Sequence, residues 1–86
     1  HKLCGSSVKS VIGHPQGACG AASLATTLLA IRDSFSPPTI NLEQADPVCD
    51  LDYTANIGRS LSIRNAIVNT IAFGSKNSAL LVRAVD

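Results

Sequence analysis

Apolar residues gather in four runs along the chain, separated by clusters of Gly, Pro, Ser and Asx residues. The first, Ser6-Ser7-Val8-Lys9-Ser10-Val11-Ile12, is short and partly β-branched, and it reads as a mostly buried strand. Gly13-His14-Pro15-Gln16-Gly17 follows as a turn, where Pro15 favours an extended His14 and suits a first helical position. Ala18 to Arg32 is predicted to be a helix that is apolar almost all round, and such a helix is covered on several sides. Gly17, Ala18, Gly20, Ala21 and Ala22 leave its first turns nearly bare, which permits close approach by another backbone. Asp33-Ser34 ends it. Ser36 to Asp52, with Pro37, Pro38 and Pro47, reads as an extended surface connection, long for a compact domain. Ala66 to Ile71 is predicted as a buried strand, Phe73 to Ser78 as a turn and Ala79 to Val85 as a second strand. Strands this close pair as an antiparallel hairpin.

The expected order of strand, helix, long loop and two strands does not close a two-layer domain, because a helix apolar on every side needs more than one covering layer. Composition points the same way. The chain has 86 residues, of which 45% are hydrophobic and only 15% charged, against an average near 25% charged. A chain this short buries roughly 60–65% of its unfolded surface, a marginal basis for an independent core. Residues 1–86 are therefore expected to form part of a larger domain rather than an autonomous one.

The seven basic residues are scattered, net charge is +1, and one Tyr and two Phe offer no stacking platform, so nucleic acid is not an expected partner. The longest apolar stretch, Ala18 to Ile31, is interrupted by Gly20, Ser23, Thr26 and Thr27 and falls short of the roughly 18 residues that span a bilayer. Cys4, Cys19 and Cys49 are odd in number and form no CxxC, so neither a disulfide framework nor a metal site is expected, in keeping with a reducing cytoplasm. His14 is the internal histidine, and a lone histidine in a turn is structural more often than catalytic. It lies between a predicted strand end and a helix N-terminus, where α/β folds place functional groups and where free N–H groups create positive potential. Lys9, inside an apolar run, requires a partner or water. His1, at the chain start, is given no role.

These segments also carry a resemblance. Val8-Lys9-Ser10-Val11-Ile12-Gly13-His14-Pro15-Gln16-Gly17-Ala18-Cys19-Gly20-Ala21 is similar to the K-S-x-x-G-H-x-x-G-A-x-G motif of the β-ketoacyl synthases (ketosynthases) of the thiolase fold. Pro37-Pro38-Thr39-Ile40-Asn41-Leu42 resembles their P-P-T-x-N-L. Cys49-Asp50-Leu51-Asp52-Tyr53 resembles C-D-L-D-[FY]. Asn69-Thr70-Ile71-Ala72-Phe73-Gly74-Ser75-Lys76-Asn77 resembles N-S-F-G-F-G-G-x-N. Four motifs in order cover nearly the whole chain.

The resemblance implies an α/β fold, the C-terminal part of the five-layered αβαβα thiolase architecture. It implies a cytoplasmic acyltransferase of fatty acid or polyketide biosynthesis. In that family a cysteine thiolate takes an acyl chain from the phosphopantetheine arm of an acyl carrier protein. Two histidines then promote decarboxylation of the malonyl thioester, and the enolate condenses with the acyl-cysteine. The resemblance makes His14 the second histidine and Lys9 the motif lysine that sets the site's electrostatics. It maps one backbone oxyanion donor onto Ile71. No bound cofactor or metal is implied. The implied partners are the remainder of the ketosynthase, as an upstream segment or a separate chain, an acyl carrier protein, and a second subunit in a homo- or heterodimer.

The T-A-C-S nucleophile motif and the H-G-T-G-T segment of the first histidine are absent, and none of Cys4, Cys19 and Cys49 is assigned as nucleophile. Ser23 stands where the family usually carries Glu as the motif lysine's ionic partner. Ile71 replaces a Phe, and Ser75-Lys76 replaces a Gly-small pair. The alternative reading is a non-catalytic partner of the chain-length-factor kind; retained His14 and Lys9 argue against it, and Ser23 argues for it.

Overall fold

The computed structural model describes residues 3–85, so His1 lies outside the described residues. Two helices and four strands follow one another as α1 (Lys9–Ile12), α2 (Cys19–Asp33), β1 (Phe35–Ser36), β2 (Arg59–Ser60), β3 (Asn65–Ala72) and β4 (Lys76–Arg83), with a 3-10 turn at Gln16–Ala18 before α2.

The first element corrects the sequence reading: Ser6–Ile12 contains a helical turn and not a strand. Its three bulky apolar residues, Val8, Val11 and Ile12, stand three and four apart, which is helical spacing. The backbone follows it, with Val11 and Ile12 N–H donating to Val8 O at 2.9 and 3.0 Å. Gly13, at φ 80°, stops the turn, a backbone shape glycine adopts freely. Lys9 is thus exposed on a short helix instead of buried in a strand. Hydroxyls tie this segment down. Ser6 Oγ donates to Pro37 O at 2.6 Å, Ser7 N–H donates to Thr39 Oγ1 at 3.0 Å, and Ile40 N–H donates to Ser10 Oγ at 2.9 Å.

Helix α2 runs as expected, one residue later at each end, and stops where Ser34 turns left-handed and its N–H bonds back to Ala30 O and Ile31 O. Thr26 and Thr27 remain compatible with the apolar faces because their hydroxyls donate to Ala22 O and Ser23 O at 2.9 and 2.8 Å. Within this chain only Cys19 of α2 is buried, and Leu28 and Leu29 stay half exposed.

The hairpin is present. β3 and β4 pair antiparallel from Asn65↔Arg83 to Ala72↔Lys76, closed by Phe73-Gly74-Ser75. Gly74 and Ser75 both hold positive φ, at 81° and 59°. The second strand begins three residues before Ala79, because this tight turn needs only three residues. Ala66, Val68 and Thr70 lie on the strand face toward α2; Val68 is buried, and an added Cβ on Gly20 would sit 3.7 Å from Thr70 Oγ1. Ile67, Ile71 and Leu81 occupy the opposite face, 64%, 79% and 70% exposed.

The centre of the long connection is a knot of hydroxyls. Thr54 is 1% exposed and donates to Gly5 O at 3.1 Å, so the Ser36 hydroxyl 2.9 Å away donates to Thr54 Oγ1 in turn. Gly5 N–H bonds Asp52 O at 2.7 Å and Thr39 N–H bonds Thr54 O at 3.0 Å, which aligns three segments around that residue. Beside it β1 and β2 pair antiparallel. Phe35 lies across Gly58, where a Cβ would stand 2.8 Å from the ring's Cε1 and 3.0 Å from Ser36 O.

Candidate functional site

Around His14 the chain makes an abrupt reversal. Gly13 breaks α1, Pro15 starts the 3-10 turn, and Cys19 opens α2. Gln16 holds φ 52°, a region in which a long side chain is uncommon. This backbone directs Gln16 N–H at the ring of His14, to which it donates at Nδ1 over 2.9 Å. An amide N–H has only a donor role, so Nδ1 is an acceptor and the proton of the neutral ring resides on Nε2. The same Nδ1 lies 3.3 Å from Cys19 Sγ. His14 is exposed, so its Nε2–H is open to an incoming ligand as a hydrogen-bond donor.

Ile71 belongs to the same end of the molecule. Gly20, beside Cys19, faces Thr70 of β3, and an added Cβ there would meet the Thr70 hydroxyl at 3.7 Å, an ordinary contact. Thr70 thus faces the start of α2, and Ile71 follows it in the strand. Ile71 lies opposite Asn77 in the ladder, its side chain turned from α2.

Lys9 lies elsewhere along the first segment. It lines a cleft of about 670 Å³ between the N-terminal segment, α2 and β3, together with Ser23, Thr26, Thr27 and Asn69. Ser23 therefore does share a cavity with Lys9, but it brings no carboxylate. The ion pairs among the described residues are Arg32–Asp33 and Arg59–Asp52, neither of which involves Lys9. Asp52 of the C-D-L-D-Y segment is a structural carboxylate. Its Oδ2 pairs with Arg59 and its Oδ1 accepts Thr54 N–H at 3.0 Å. Arg59 above all, and the Thr54 amide after it, hold this carboxyl below its usual range. Desolvation, more than the neighbouring Cys49, raises the Tyr53 phenol.

The motifs interlock physically. Ser10 of the first bonds Ile40 of the second, and Thr39 of the second bonds Thr54, just after the third. Two participants escaped the sequence reading, the Gln16 amide and the Cys19 thiol. A backbone donor leaves no mark in residue type, and a separation of five residues matches neither helical nor strand spacing.

Residues 1–43, half of the chain, match the family model "Beta-ketoacyl synthase, C-terminal domain". The chain is 45% identical over 85 residues to the 3-oxoacyl-[acyl-carrier-protein] synthase 2 of Coxiella burnetii, covering 99% of this chain and 20% of that protein. It is 43% identical over 77 residues to the tetracenomycin polyketide synthase ketoacyl synthase alpha subunit of Streptomyces glaucescens, covering 90% of this chain and 18% of that one. Among solved structures, a type II polyketide synthase acyl carrier protein in complex with its ketosynthase bound to the hexaketide (AntDE:AntF) contains a chain that superposes with a TM-score of 0.92 at 38% identity. That match covers 94% of this chain and 20% of the other. The chain spans about a fifth of the length of the relatives it matches, and its helix and antiparallel hairpin are the expected part of the thiolase-type α/β fold. On this evidence the chain belongs to the β-ketoacyl synthase family, within its C-terminal domain.

Proposed function

We propose that this chain supplies the malonyl-binding histidine of a β-ketoacyl synthase, an acyltransferase that condenses malonyl-acyl carrier protein with an acyl-cysteine. The observation that carries the reading is the Gln16 N–H bond to His14 Nδ1, which leaves Nε2–H as a donor. Such a neutral donor stabilises negative charge on the thioester oxygen of malonyl as the carboxylate leaves as carbon dioxide. The enolate carbon then attacks the acyl-cysteine carbonyl. A carbon–carbon bond forms, the carbon–sulfur bond breaks, and the thiolate is released. The backbone N–H of Ile71 serves as an oxyanion donor for that step, and Lys9 shapes the field around it. The nucleophilic cysteine and the other histidine come from the remaining polypeptide. Substrates arrive on the phosphopantetheine of an acyl carrier protein, the partner held by the superposing polyketide ketosynthase. The working enzyme is a cytoplasmic dimer. No helix among the described residues is long and apolar enough to cross a membrane.

We propose further that residues 1–86 are not autonomous. The chain exposes 6717 Å², whereas a monomer of 8.9 kDa exposes about 4,800 Å². The excess is surface that the rest of a ketosynthase would cover.

The test compares His14→Ala and His14→Gln in the full-length enzyme. His14→Ala is expected to slow carbon dioxide release from malonyl-acyl carrier protein about 10²–10³-fold, the worth of one oxyanion donor. Acyl loading of the cysteine, read by intact mass, changes less. His14→Gln retains more activity than Ala, since an amide N–H still donates. Normal carbon dioxide release by folded His14→Ala would reject the role and favour a non-catalytic partner subunit.

A further inference from the structure

The proposed function uses the outer nitrogen of His14, and the inner nitrogen has a second neighbour. We propose that Cys19 is a positioning residue for His14: its thiol donates a hydrogen bond to Nδ1 and fixes the plane of the ring. This rests on the catalytic reading of His14 given above. Cys19 Sγ lies 3.3 Å from Nδ1, within the range of a sulfur–nitrogen hydrogen bond. The thiol is buried, and its backbone opens α2, so the position of Sγ is set by the helix and not by a mobile loop.

The direction of this bond follows from Gln16. Its amide N–H already points at Nδ1 from 2.9 Å. A proton on Nδ1 would oppose it donor to donor, so Nδ1 stays bare, and a thiol bond to it runs from sulfur to nitrogen, sharing the one Nδ1 lone pair with the Gln16 amide as a three-centre bond. The amide alone defines one point of attachment, about which an exposed imidazole tilts. The thiol supplies a second, from a different element. Together they aim Nε2–H in one direction, and aim is what a preorganised oxyanion donor contributes.

The test uses the full-length enzyme with Cys19→Ser, Cys19→Val and Cys19→Ala beside His14→Ala. Serine keeps a donor, and valine keeps bulk without one. We expect kcat for carbon dioxide release from malonyl-acyl carrier protein to fall about 3- to 10-fold in the Val and Ala variants, the worth of one neutral hydrogen bond. KM stays unchanged, and Cys19→Ser stays within about twofold of wild type. Independently of activity, the 15N resonance of His14 Nδ1 should move toward that of a ring nitrogen with fewer donors in Cys19→Val but not in Cys19→Ser. Wild-type kcat in both Val and Ala variants, or a Ser variant as slow as Ala, overturns the positioning role while leaving the role of His14 standing. Wild-type carbon dioxide release by His14→Ala overturns both.

Discussion

Thr54 and Gln16 both hold backbone shapes that their side chains disfavour, with φ at 50° and 52°. Such residues persist where surrounding bonds over-determine them. For Thr54 the bonds are the knot with Ser36 and Gly5, and for Gln16 the bond is the one to His14. The sequence marks neither, because both depend on partners distant in space or on a main-chain donor. It does mark His14, and it shows Asp52 only as one member of the Cys49–Tyr53 motif. Asp52 gives a prediction at this scale. Its carboxyl titrates below the ordinary value because of Arg59 first and Thr54 second, so the unfolded chain binds a proton more readily than the folded one. The stabilisation is present above the unfolded carboxyl pKa of about 3.9 and is lost as pH falls through the lower folded value. Asp52→Asn, which keeps an acceptor for Thr54 N–H, should therefore flatten the acid limb of the intact protein's stability curve. Denaturant midpoints between neutral pH and pH 3 read it, and added salt should shrink the difference, since the pair is partly exposed.

Among the elements, α2 and the β3–β4 hairpin were legible because each is long enough for its period and its breakers to agree. The Ser6–Ile12 run was too short for that. Its β-branched residues point to a strand, while their spacing, which is what the backbone obeys, points to a helical turn. The β1–β2 pair was invisible for a related reason: two residues per strand carry no period at all, and Gly58 under Phe35 is its one sequence trace. The turn of the hairpin makes one family departure costly and offers a test. Ser75 occupies, at φ 59°, a position where the family uses glycine. Ser75→Gly should stabilise the intact protein by about 0.5–1 kcal/mol, as relief of the left-handed strain outweighs the greater freedom of glycine in the unfolded chain. Equilibrium unfolding would show it as a shift in midpoint at constant slope.

At the scale of the whole chain the composition marks a shortage of charge, and large apolar side chains such as Leu28, Leu29, Ile67 and Leu81 stand half or more exposed; what would cover them was not legible, because a partner surface leaves no period in this sequence. Expressed alone, residues 1–86 should show no cooperative thermal transition by calorimetry, and a sharp transition from a monomer would contradict the dependence proposed above. The outer face of the hairpin adds a kinetic consequence. β3 carries no charged residue, β4 carries only Lys76 and Arg83 at its ends, and β3 pairs with β4 alone among the described strands. An eight-residue strand of this kind with a bare edge is a template for further strands from other molecules. If the cover proposed above exists, heat that parts the hairpin from it lets self-association compete with refolding. The lifetime of the intact protein when warm is then expected to be set by how often this surface opens and by protein concentration, rather than by an equilibrium between folded and unfolded states.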